Sequence, residues 1–250
     1  MERSHRYPNP TSGRQRRNHF AQPGPKRLTH LEFAFRQVTA VVPPTESSPE
    51  DVFINCPFDD DYRDIFRALI FVVYACGFRP RSARELDDGG KTRIAKLYDI
   101  IGESRYGIHD ISRTELDLAN RLPRFNMPLE LGIFLGAKQY GGAAQRRKLV
   151  LIFDTEPYRF QKFISDLAGM DIHAHGGEVE AAISKTRDWL VNVSRSHVPG
   201  GKKLIRWYHE FLAVLPSLAN ELDLDAATAS YVDFEKMLLG WLLNTTTIEG

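Results

Sequence analysis

In the run Leu149-Val150-Leu151-Ile152-Phe153 every side chain is large and apolar. Successive residues of a strand point to opposite faces of a sheet, so a strand with no polar alternation is buried on both faces. Sheets covered on both faces are parallel in most folds, and the cover is made by their own crossover helices. Val52-Phe53-Ile54-Asn55-Cys56, closed by Pro57, obeys the same logic at the other end of the region. Between and after these runs, residues 78–84 read as a weaker strand carrying Pro80, residues 105–111 as a third strand, residues 148–153 as the fourth and residues 171–174 as a brief fifth.

Helical periodicity fills the gaps. Asp59-Asp60-Asp61 suits the positive start of a helix. Tyr62, Phe66, Leu69, Ile70, Val73 and Tyr74 then recur at helical spacing up to a stop at Gly77. Residues 91–103, 128–140 and 178–193 read as further helices, and residues 158–165 as a short one. Gly141-Gly142 reads as a turn. Strand–helix alternation with right-handed crossovers predicts a doubly wound, mostly parallel α/β domain over residues 51–195, and five strands fit the flavodoxin-like order 2-1-3-4-5.

The flanks differ from this core. Residues 1–50 are rich in Arg and Pro and poor in apolar residues, which is disordered composition; residues 31–42 have room for a short helix or strand that Pro43-Pro44 would end. The segment reads as a dispensable tail in preference to a basic arm for nucleic acid or acidic lipid. After Pro199-Gly200-Gly201, taken as a hinge, residues 202–250 hold two amphipathic helices with no strand between them. They suit a C-terminal cap, a homo-oligomer surface or a partner-binding element.

With 42% apolar residues, 26% charged residues and a net charge of +1, the chain can build a core and offers no global charge for nucleic acid or membrane. No apolar run has the length of a membrane span, the N-terminus lacks a secretory core segment, and Cys56 and Cys76 are too few for a zinc site or a disulfide framework. The expectation is a cytoplasmic protein with no membrane or nucleic-acid partner.

Ligands of open α/β sheets bind outside the carboxyl ends of the strands. That rule selects Asn55-Cys56-Pro57-Phe58, the stretch from Arg84 and Glu85 through Asp87 and Asp88, Asp110-Ile111-Ser112-Arg113, and Asn126-Met127-Pro128-Leu129-Glu130. Glu130 is the foremost candidate. With Asn126 as N-cap and Pro128 in the first turn, its side chain leans back toward the strand ends, and the helix dipole favours its ionised form. A held carboxylate of this kind attacks an anomeric carbon or stabilises an oxocarbenium-like transition state. A Glu that only caps its helix is the plainer reading. Asp110, beside Ser112, suits a ribose hydroxyl or a proton relay, or else anchors its loop. Glu85, Asp87 and Asp88 form an acidic rim before Gly89-Gly90 that reads first as a solvated turn. Arg84, Arg105 and Arg113 suit phosphate or these acids. His109 reads as a packed histidine, and His173 and His175 are too few for a metal. Phosphate-loop, dinucleotide-fingerprint and nucleophile-elbow motifs are absent from the sequence.

The strand Val52–Cys56 with Pro57-Phe58, Asp110, and Glu130-Leu131-Gly132 opening a helix resemble the nucleoside 2-deoxyribosyltransferases, whose members carry a small-Pro-Phe turn and an E-[LI]-G nucleophile motif. TIR domains, some of which cleave NAD, are similar in layout. The strings from Arg105 to Arg113 and from Leu122 to Pro128 also resemble an uncharacterised bacterial branch of this fold. The resemblance spans residues 51–154, and more loosely extends to residue 190. It implies a flavodoxin-like sheet, Glu130 as nucleophile or oxocarbenium stabiliser, Asp110 as its polar neighbour, and a base or ribose pocket at Asn55, Cys56, Pro57 and Phe58. Met127-Pro128 is bulkier than the small pair the transferases place before their Glu, and residues 113–125 are longer and more basic than a transferase loop. The expected function is cleavage or transfer at an N-glycosidic bond of a nucleotide-like small molecule, with no cofactor and with NAD as a candidate substrate, and a role in bacterial defence or nucleotide signalling. The rival is a non-catalytic nucleotide sensor or interaction module of the same fold.

Overall fold

A computed structural model describes residues 51–85, 88–114, 116 and 121–249. The readings of the N-terminal tail, of a short element at 31–42 and of Asp87 lie outside the described residues. Five strands, β1 (Asp51–Asn55), β2 (Arg79–Arg81), β3 (Tyr106–Asp110), β4 (Leu149–Asp154) and β5 (Ile172–Ala174), form one sheet in the order β2-β1-β3-β4-β5. Every pairing is parallel. This is the doubly wound, flavodoxin-like order expected from the apolar runs.

The two faces of β1 and β4 show why those runs have no polar alternation. Val52, Ile54, Leu151 and Phe153 enter one hydrophobic cluster with helix α1 (Arg63–Ala75), while Phe53 joins Leu97, Ile100 and Ile101 of α2 (Arg93–Glu103) and Phe134 of α3 (Asn126–Tyr140) on the opposite face. Ile152, also on that face, packs with Ile111, Leu131, Phe160 and Leu167. Thr92 caps α2, its hydroxyl accepting from the Ala95 N–H at 3.3 Å. At the far end of α2, buried Lys148 donates to the carbonyls of Ile101 (2.5 Å) and Ser104 and lies over the Phe134 ring. Burial lowers the Lys148 ammonium to about 8.

Two local expectations are corrected, and one short element is added. Asn126 is the first residue of α3 and not its cap; Phe125 holds the cap position, and no side chain serves there. Residues 158–165 do not form one helix. Tyr158 is left-handed at φ 62°, so the chain breaks into 3-10 turns at Arg159–Lys162 and Ser165–Leu167. The Gly141-Gly142 turn leads into a single-turn helix, α4 (Ala143–Arg146), whose four residues are too few for a periodic signal.

Helix α5 (Val179–Ser194) packs on α1, and α6 (Gly201–Glu221) and α7 (Tyr231–Glu249) complete that layer. Leu204, Trp207, Tyr208, Phe211, Leu215 and Leu218 recur at helical spacing along α6 and are all buried. Phe71 of α1 meets two of them and Trp241 of α7, with ring centroids 5.1 Å from Tyr208, 6.3 Å from Phe211 and 6.3 Å from Trp241. The buried apolar residues of α6 and α7, from Leu204 to Leu242, thus pack on the same chain as a cap over α1. Among the described residues no helix is long and apolar enough to cross a membrane.

Candidate functional site

Parallel strands deliver their carboxyl ends to one edge, and six of the buried polar residues lie there: Asn55, Asp110, Ser112, Glu130, Asp154 and His175. Asp110 ends β3 with no solvent exposure. Its Oδ2 accepts from the Tyr62 hydroxyl at 2.5 Å and from His175 Nε2 at 2.9 Å, and its Oδ1 accepts from the Ser112 N–H at 2.8 Å. The Gly177 N–H donates to His175 Nδ1 at 2.9 Å, so the ring proton sits on Nε2 and points at the carboxylate. Burial pushes the Asp110 carboxyl up, but the bonds from His175, Ser112 and Tyr62 outweigh it and hold it below the ordinary range.

One strand away, Asn55 ends β1. Its amide donates to His109 Nδ1 at 3.0 Å and to the Met127 carbonyl at 2.9 Å, tying the start of α3 to the sheet. Its Oδ1 is a buried acceptor with no donor among the described residues. His109 is buried between Phe53 and Phe134 as a packed ring, and burial and then Lys148 depress it to about 3. Cys56 is a buried free thiol; burial and the charges of Asp110 and Glu130 raise it well above the thiol range, so it is neutral.

Glu130, the fifth residue of α3, is 3% exposed. The helix dipole does not decide its charge state, as the sequence suggested. Burial pushes its carboxyl up to about 7, and only Arg93, with Nη2 3.6 Å from Oε1, pulls the other way. Arg93 is itself more than half exposed and reaches over the Phe58 ring at 5.9 Å.

Arg93 also lines a cleft of about 310 Å³ together with Pro57, Phe58, Arg113, Arg124, Asn126 and Met127. Asp59 is also in the lining and binds Arg113 at 2.9 Å and Arg124 at 3.4 Å. Three guanidiniums around an aromatic side chain suit an anionic, planar ligand. Five of the sequence-selected residues, Pro57, Phe58, Arg113, Asn126 and Met127, meet in this cleft, with Asn55, Cys56 and Glu130 buried behind it.

Other selected residues go elsewhere. Glu85 turns to the edge strand, where it pairs with Arg81 at 2.7 Å and accepts from the Ser82 N–H. Arg81 and Arg79 both bind buried Asp51, so this is an ion-pair network at β2. Asp88 is exposed and accepts from the Gly90 N–H at 2.8 Å, the solvated turn of the plainer reading. Arg105 precedes β3 and so stands at the amino end of the sheet, a strand length from Asp110; it is no phosphate ligand for this edge. Tyr62 and His175, the partners of Asp110, were not legible, because α1 periodicity makes Tyr62 a core residue and His175 comes 65 positions later. Arg159 was missed as well: it pairs with buried Asp154 at 2.6 Å and donates to the carbonyls of Ile111 and Ser112, fixing the loop after β3. Among the described residues no group of three or more His, Cys, Asp or Glu is placed to hold a metal ion.

No family model, curated protein or solved structure matches this chain.

Proposed function

We propose that the chain cleaves or transfers at the N-glycosidic bond of a nucleotide-like small molecule, NAD or a nucleoside or nucleotide, with Glu130 as the working carboxylate. One observation carries the reading: a buried carboxyl raised to about 7, paired with a single half-exposed guanidinium that itself lines the arginine-rich cleft at the strand ends. Substrate phosphate draws Arg93 outward. That movement opens the path to Glu130. The ionised carboxylate then forms a bond to the anomeric carbon, or stabilises the oxocarbenium-like state, as the C–N bond breaks and its electron pair leaves with the base. Water or a second base completes hydrolysis or transfer. Asn55 Oδ1 is available to a sugar hydroxyl, and Phe58 to a ring. Asp110 serves as a positioning residue, because all three of its bonds are internal.

The test is product release. Purified chain is incubated with NAD and with mixed nucleosides and deoxynucleotides, beside Glu130→Gln, and the products are separated by chromatography. Free nicotinamide or free base from the wild type alone supports the proposal. Release that persists in Glu130→Gln sinks the role of Glu130. Ligand-induced stabilisation with no product at all favours the sensing module, a reading supported by how completely Glu130 is covered.

A further inference from the structure

A second cleft, of about 250 Å³, lies on the other side of Phe58, between α1 and the segment that leads into α7. Pro57, Phe58 and Asp59 belong to both clefts. Everything else about this one differs. Its cations are Arg63, Arg67 and Arg84, and its apolar walls are Phe66, Tyr231 and Phe234. Phe66 and Tyr231 are stacked at 6.0 Å, and Phe58 meets Phe66 edge-on at 5.3 Å.

The charges here are unevenly matched. Arg67 is partly buried, lies over the Phe234 ring at 5.0 Å and donates to the Ala226 carbonyl at 2.8 Å; no carboxylate among the described residues pairs with it. Arg84 lies over Phe58 at 5.0 Å and donates to the Phe58 carbonyl, again with no carboxylate partner among the described residues. Arg63 reaches the Ala227 carbonyl and has only a 3.5 Å contact to highly exposed Asp60. Asp59, the other acid of the lining, is already engaged by Arg113 and Arg124 from the first cleft. Burial and the nearby charge of Arg63 hold the Arg67 guanidinium below its ordinary range. A guanidinium satisfied by neutral carbonyls alone, with another beside it, gains most from an anion.

We propose that this cleft is a second ligand site, separate from the one in front of Glu130, and that it takes a planar aromatic ring bearing a phosphate. The phosphate is bound by Arg63, Arg67 and Arg84, and the ring enters the Phe58–Phe66–Tyr231 wall. Because Arg63 and Arg67 hold the carbonyls of residues 226 and 227, the bound anion competes with those contacts and couples the approach to α7 to the Phe58 turn. The inference does not depend on turnover at Glu130.

Calorimetric titration of the full chain with adenosine 5′-monophosphate tests it, with adenosine and inorganic phosphate as separate arms. Thr228, exposed on the rim, is replaced in Thr228→Trp to fill the cleft without touching a charge. Arg67→Gln removes a cation, and Asn126→Trp, at an exposed position that lines only the first cleft, fills that one instead. The expected result is nucleotide binding that weakens about tenfold or more in Thr228→Trp and in Arg67→Gln and stays within about twofold in Asn126→Trp, with each half-ligand binding about tenfold more weakly than the whole. Undiminished affinity in Thr228→Trp overturns the proposal, as does equal loss in Asn126→Trp. Absence of binding at about 5 mM nucleotide overturns it too. Product release by the wild type is read separately, so failure here and failure at Glu130 are distinguishable.

Discussion

Two carboxylates lie at the same edge of one sheet and live under opposite regimes. Asp110 ends β3 and is fully buried, yet three donors hold it below the ordinary carboxylate range. Glu130, on α3, is nearly as buried, has one guanidinium at 3.6 Å, and rises to about 7. Burial is therefore not what separates them; the supply of donors is. A carboxylate whose lone pairs are filled from its own fold stabilises that fold and has nothing left to offer a substrate. One that is left short of donors costs stability and keeps its capacity for chemistry.

The widest gap between the two appears on removal. Asp110→Ala leaves the Tyr62 hydroxyl and the His175 Nε2–H buried with no acceptor and frees the Ser112 turn. Loss of one partner from a buried charged network costs about 3–5 kcal/mol. Equilibrium denaturation in urea checks this, and a loss under about 1 kcal/mol breaks the comparison.

Glu130 is expected to move the other way, and pH gives the sign. Its carboxyl is raised in the folded chain to about 7 from an ordinary 4.5, so between those values the folded state holds more protons than the unfolded one. Stability from this group is thus fully present below about 4.5 and is lost as pH rises toward 7. The full difference is of the order of 3 kcal/mol. Glu130→Gln removes the titration, so at pH 8 the variant unfolds at higher urea than the wild type, and the advantage shrinks as pH falls. A wild type and variant with parallel stability profiles from pH 4 to pH 8 would falsify the account of Glu130.

The sequence carried these two carboxylates unequally. Residue type and strand-end position were enough to select both, and uninterrupted apolar runs were enough for the sheet, its order and its two-sided cover. The regimes depend on contacts across long separations. Tyr62 meets Asp110 over 48 positions and His175 meets it over 65, and neither pairing leaves a periodic trace. Periodicity also showed that residues 202–250 hold apolar faces but not what covers them. Phe71 and its neighbours on α1 do so; the unbroken apolar run of residues 68–73 marks that helix as buried all round without saying which segment covers its outer side. Asn126 failed as a cap for a local reason: the helix starts at Asn126 itself, and the amide that secures that turn comes from Asn55 on β1.

The finest distinction concerns Arg93, the one cation that keeps Glu130 from being still more neutral. Its guanidinium favours the ionised carboxylate, so Arg93→Gln raises the Glu130 midpoint above about 7. The side chain is more than half exposed, and such pairs are worth at most about 1 kcal/mol, so the rise is well under about one unit. Activity is a poor readout, since Arg93 also lines the cleft and its loss weakens substrate binding as well. Titration of the Glu130 side-chain carboxyl by carbon-13 NMR in the free protein separates the two effects. An upward shift that shrinks when salt is added to the wild type identifies Arg93 as a screened, movable counter-charge. An unchanged midpoint means that burial alone sets the charge of Glu130, and the step in which substrate phosphate draws Arg93 away then has no electrostatic consequence for the carboxylate behind it.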